Sequence, residues 1–158
     1  PELRRHVFRH YITRQGHIPV GRVPALLRRI VMGLDIYFLA RDNHQNGAVV
    51  ETQEHQEVGA FRKVKPLMTW FREHTGASDE QHAFPVTRRS LAALLRDLSM
   101  LTPGNCHRLF PYVTGSRLRG EDYAGDYWYD VDDVKAWVSD TLKTFDFERH
   151  SLVMLALW

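Results

Sequence analysis

The sequence predicts an α+β domain in which a small antiparallel or mixed β-sheet packs against about three amphipathic helices. Three observations carry that expectation. GLDIYFLAR, from Gly33 to Arg41, alternates at period two; RRSLAALLRDLSML, from Arg88 to Leu101, sets its leucines on one helical face; and the closing HSLVMLALW is apolar at both parities. A chain of 158 residues suits a single core, since a domain of this size buries roughly 68–70% of its unfolded surface.

In GLDIYFLAR, Leu34, Ile36, Phe38 and Ala40 fall on one face and Asp35, Tyr37, Leu39 and Arg41 on the other, so the stretch reads as a strand. DNHQNGAVVETQEHQ is polar and reads as a loop or loose hairpin tip, with Asn46-Gly47 as a tight turn. EVGAFRKV is a second strand. It ends where Pro66 opens a helix, because proline lacks the N–H that a first-turn position leaves unpaired. In that helix, PLMTWFREH, Leu67, Trp70, Phe71 and His74 share a face, and Gly76 terminates it. HAFPV is a short extended piece that Pro85 confines to a sheet edge or a strand end. Thr87 caps the next helix, whose stripe is Leu91, Leu94, Leu95, Leu98 and Leu101, and TPGN stops it. CHRLFPYVTGSRLRGEDYAGDYWY reads as a long loop. Asp130 then caps VDDVKAWVSDTLKTF, which turns Val131, Val134, Trp137, Val138, Leu142 and Phe145 to the core. The last run reads as an interior strand covered on both sides. The expected order is β-β-α-β-α-α-β.

Charge divides the chain in two. Residues 1–31 hold seven arginines against one acid, Glu2, so residues 32–158 total about −4 although the whole chain is +2. This basic arm can be a nucleic-acid or membrane-surface arm, a targeting leader, or upstream codons ahead of a misplaced start. PALLRRIV is too short and too charged for a secretory apolar region. The misplaced start is favoured, with 32–158 as a single α+β domain that is self-sufficient without the arm. No apolar run approaches the roughly 20 residues that span a bilayer. Cys106 is the single cysteine, which excludes an intramolecular disulfide and multi-thiolate metal sites and makes the cytoplasm the expected setting.

Three stretches in order, MGLDIYFLAR, EVGAFRKVKPLMTWF and LFPYVTGSRLRGEDYAGDYWYDVDDV, resemble a set of small bacterial and phage proteins that open MGLDMYL and carry EVGYWRKAN-like and LLPTQSGFFFGST-like segments. The resemblance covers about residues 32–158 and implies that the equivalent of Met32 initiates. It implies a boundary and a fold but no activity. The aromatic GFFFGS-like residues of that set stand here as Gly115, Ser116, Arg117, Leu118, Arg119 and Gly120, a departure that carries no ligand across.

Candidate chemistry gathers in two places. Arg62 and Lys63 adjoin Asp35 if the first two strands pair; one of the cations then faces an anion or acidic partner, or else Asp35 itself neutralises it in an ordinary cross-strand ion pair. The loop TGSRLRGEDYAGDYWYD offers Arg117 and Arg119 for an anion and Tyr123 and Tyr127 as flat amphipathic contacts. Six acids in the same segment and its flank repel phosphate, Glu121 stands where a P-loop has lysine, and the acids lack EF-hand spacing. Scattered histidines, no HExxH and no GxSxG elbow leave neither a metal, a cofactor nor a catalytic set expected. The leading reading is a phage- or mobile-element-type accessory protein that binds a host protein or small anionic ligand through the 112–129 loop. One alternative is a DNA-binding winged-helix-like module, in which TRRSLAALL precedes an aromatic wing strand. Nucleic acid suits the basic arm better than the acidic body. The other alternative is an enzyme on a phosphorylated or nucleotide substrate, with Asp35, Arg62, Lys63 and His150 converging.

Overall fold

In a computed structural model of the chain, the residues described are 33–43, 55–77, 81–112, 123 and 125–157. The basic arm, Met32, Asn46-Gly47 and Arg117 and Arg119 lie outside them. The elements are β1 (Asp35–Asp42), β2 (Gln56–Arg62), α1 (Lys65–Thr75), β3 (Ala83–Val86), α2 (Arg88–Ser99), a single turn α3 (Cys106–Leu109), α4 (Asp126–Thr144) and β4 (His150–Leu157). The fold is α+β. Among the described residues four strands lie in the order β2-β1-β4-β3, and their pairings are antiparallel.

β1 and β4 fill the middle, and in each of them residues of both parities are buried. Asp35 lies opposite Leu157 and Asp42 opposite His150. β3 takes one edge, where Pro85 removes a donor at little cost to the ladder. β2 takes the other. Its pairing with β1 slips at Phe38/Leu39, a bulge that puts two residues of one strand against one of the other and kinks the ribbon.

Helices cover one face of the sheet. Ile36 and Phe38 of β1, Phe84 and Val86 of β3, and Leu152 and Met154 of β4 join the apolar stripes of α1, α2 and α4 in one core. Burying each large apolar side chain there contributes about 1.5–3 kcal/mol. Thr87 caps α2 reciprocally with Ser90, the threonine hydroxyl accepting the Ser90 N–H at 3.0 Å and the serine hydroxyl accepting the Thr87 N–H at 2.9 Å. Gly76 ends α1 in the left-handed region, at φ 64°. Arg88 fastens α2 to α4, donating to the Leu142 carbonyl at 3.0 Å and standing over the Phe147 ring.

Two sequence expectations need correction. β2 stops at Arg62 because Lys63 takes a positive φ of 64°, so Arg62 and Lys63 are not alternating residues of one strand. α4 begins at Asp126, one turn before Asp130, and its N-cap is Gly125, which makes no side-chain capping bond. Tyr127, Trp128 and Tyr129 are therefore helical, and the aromatic wing strand required by the winged-helix reading is absent among the described residues.

Candidate functional site

At one end of the sheet the register sets Asp35 opposite Arg62. Asp35 is only 6% exposed, and its Oδ1 lies 3.7 Å from Arg62 Nε, whose side chain is 63% exposed. This is the cross-strand ion pair. Lys63 sits beside it, its N–H donating to the Leu34 carbonyl at 2.7 Å. His150 pairs with Asp42 at the far end of β1, seven strand steps or roughly 24 Å from Asp35. No small substrate bridges that span, so the proposed convergence of Asp35, Arg62, Lys63 and His150 does not occur.

The second predicted site is rearranged. Tyr123 is 2% exposed and Tyr127 fully buried, so neither offers a flat surface to a partner. The α-helical start at Asp126 turns Tyr127 inward, where its hydroxyl donates to the Phe110 carbonyl at 3.0 Å and burial pushes the phenol well above its ordinary pKa. Tyr123 stacks on Tyr112 with ring centroids 5.0 Å apart and planes 20° apart. The Tyr112 N–H points to the Tyr123 hydroxyl at 3.4 Å, the Tyr112 carbonyl accepts from Thr69 Oγ1 at 3.0 Å, and the Tyr123 carbonyl accepts from Trp128 Nε1 at 3.0 Å. Residues 112 and 123 thus form a pinned base for the segment between them. Cys106, buried in the same core, has its thiol pKa raised by burial and is a packing residue. Among the described tyrosines of this segment Tyr129 is the exposed one, at 75%, on the first turns of α4 beside Asp126 and Asp130. The Asp130 carboxyl is raised above the usual range by burial and by the neighbouring charges of Asp126 and Asp133.

A buried polar group that the sequence reading missed ties α1 to α2. Asp97 accepts from Trp70 Nε1 at 3.0 Å through Oδ2 and from Arg96 at 3.0 and 3.2 Å through Oδ1. His74 stacks on the Trp70 ring, 3.7 Å between centroids, with Nε2 3.7 Å from Asp97 Oδ2 and Nδ1 2.9 Å from the Trp70 carbonyl. The signal was in the sequence: Asp97 lies three residues after Leu94, on the apolar stripe of its helix, where an acid needs buried partners. Both carboxylate oxygens and both imidazole nitrogens face partners within the protein. The group holds helices together and leaves no base aimed outward.

Among the described residues no three His, Cys, Asp or Glu side chains gather as a metal site, and no helix is long and apolar enough to cross a membrane. Compared with known protein families, curated proteins and solved structures, the chain matches none.

Proposed function

We propose that this chain is a non-enzymatic accessory protein of the phage or mobile-element type, which works in the cytoplasm by binding a host protein through residues 112–129. The observation that carries the reading is the stacked Tyr112–Tyr123 base. A segment fixed at both ends, with its flanks packed into the core, loses less conformational entropy on binding than a free loop of the same length. Tyr129 replaces Tyr123 and Tyr127 as the aromatic contact, since it alone of the three is presented to solvent. Asp126, Asp130 and Asp133 beside it favour a partner with a basic patch over a phosphate. The small anionic ligand is the weaker form of the proposal, resting on Arg117 and Arg119 alone.

Affinity capture compares the wild type with Tyr129→Ala and with Arg117→Ala plus Arg119→Ala, bound proteins being identified by mass spectrometry. A specific partner is expected to be lost or weakened at least tenfold with Tyr129→Ala, a hot-spot aromatic contributing about 2 kcal/mol or more. Capture that is equal for all three proteins removes this segment as the binding surface. Tyr123→Ala is not a usable test, because it removes the base itself.

A further inference from the structure

The sheet's two edges are built differently. β3 carries Pro85 and lacks a donor midway, whereas β2 holds no proline, and proline is one of the devices that close an edge to further strands. Among the described residues nothing pairs with the outer side of β2, and Gln56, Glu57, Ala60, Arg62 and Lys63 are exposed. The Lys63 N–H donates inward to the Leu34 carbonyl, so alternation turns the backbone groups of Phe61 and Gly59 to β1 as well and those of Ala60 and Arg62 outward. Val58 is the extra residue of the bulge, and Trp137 holds its carbonyl. Beyond it Glu57 falls back into step: Glu57, Ala60 and Arg62 stand opposite Leu39, Tyr37 and Asp35, alternate residues of β1, and so share one face of the sheet.

We propose that β2 pairs antiparallel with β2 of a second copy of this chain, about a two-fold axis at Ala60, so that the two sheets run on as one. Ladder steps counted equally from Ala60 reach Arg62 on one side and, across the bulge, Glu57 on the other. Glu57 of each copy therefore stands opposite Arg62 of the other, on the same face, and the charge pair is made twice. Without the bulge Val58 would occupy that step and the acid would point to the opposite face. Moving the axis to Arg62 or to Glu57 sets like charges against each other, so charge selects the register at Ala60. The Arg62 Nε faces Asp35 of its own chain, and the remaining N–H donors of this largely exposed guanidinium are placed for the second copy's acid. On the other face Phe61 of one copy falls beside Gly59 of the other, an aromatic ring against a residue with no side chain. Phe61 already packs on Trp137, with 5.5 Å between centroids, so the pairing prolongs the apolar core across the axis. This association is independent of the binding role given to residues 112–129.

The test is the mass of the full chain in solution, measured by sedimentation equilibrium over a concentration series. The wild type is expected to rise reversibly to twice the chain mass. Glu57→Arg alone and Arg62→Glu alone are each expected to stay monomeric, because each sets like charges opposite one another at both ends of the pairing. An equimolar mixture of the two is expected to dimerise again, since arginine at 57 then meets glutamate at 62 and the native pair is kept at the other end. A wild type that stays monomeric, single variants that dimerise as the wild type does, or a mixture of folded variants that stays monomeric overturns the proposal. Arg62→Glu also removes the ion pair with Asp35, so Ala60→Pro serves as a second variant. The Ala60 N–H faces away from β1, and its loss is expected to abolish the dimer while leaving the circular dichroism of the chain unchanged. A dimer that persists in Ala60→Pro overturns the proposal as well.

Discussion

Gly59 shows how closely single residues are specified. A β-carbon there would lie 2.7 Å from Trp137 Cε2, because the indole rests on the β2 backbone and donates to the Val58 carbonyl at 3.1 Å. The same ring packs at a tilt of 38° against Phe38, 4.1 Å between centroids, so it cannot retreat without disturbing β1. Gly59→Ala is expected to cost about 1–3 kcal/mol, read as a lower urea midpoint with unchanged slope. Asp97→Ala leaves the buried Trp70 N–H unsatisfied and is expected to cost a similar ~1–3 kcal/mol; Asp97→Asn, which keeps an acceptor, should cost less in the same titration. Neither site was visible as a pair. Trp137 and Trp70 announce core positions by spacing, but the glycine 78 residues from one and the acid 27 residues from the other are joined by the folded chain alone.

Elements were legible where the period was clean and a side chain marked the end. α2 carries both a leucine stripe and Thr87, and Pro85 marked β3 as an edge strand. α4 was read one turn short. Tyr127, Trp128 and Tyr129 favour strands as readily as helices, Asp130 imitates a cap, and Gly125 signals a helix start with no side chain at all. Burial raises the cost of ionising Asp130, and Asp126 and Asp133, four and three residues away on the same helix, add repulsion. An acid whose folded pKa is raised destabilises the fold when ionised. Asp130→Asn is therefore expected to stabilise the protein above the raised folded pKa, by about 0.2–0.5 kcal/mol for each like-charged neighbour. The gain should shrink as pH falls through that value and vanish below the unfolded pKa of a carboxylate. Parallel melts of both proteins between pH 3 and 7 check this, and a gain that persists at the acid end would contradict it.

For the molecule as a whole, the alternating first strand, the leucine stripe of α2 and the two-parity closing run were enough to place an α+β fold; the sequence offered Arg62 or Lys63 as the cross-strand partner of Asp35, and the register of β1 on β2 selects Arg62. The candidate site was less legible. The sequence suggested residues 112–129 as a binding segment but could not tell which of its tyrosines face inward, because burial there depends on where α4 begins. One core unites strands from both edges with α1, α2 and α4, so unfolding is expected to be cooperative. Far-ultraviolet dichroism and tryptophan fluorescence should give coincident urea transitions. Separated midpoints would mean that the Tyr112–Tyr123 region and the sheet unfold as independent units.

The placement of β4 between β1 and β3 has a bearing on synthesis. β1 acquires its central neighbour only after more than a hundred further residues, so a nascent chain on the ribosome carries an incomplete sheet until β4 emerges. Such long-range closure folds slowly and leaves sticky intermediates for chaperones to hold. Ribosomal stalling or a nonsense codon just ahead of His150 should therefore yield aggregate or proteolytic fragments instead of a shortened, usable protein.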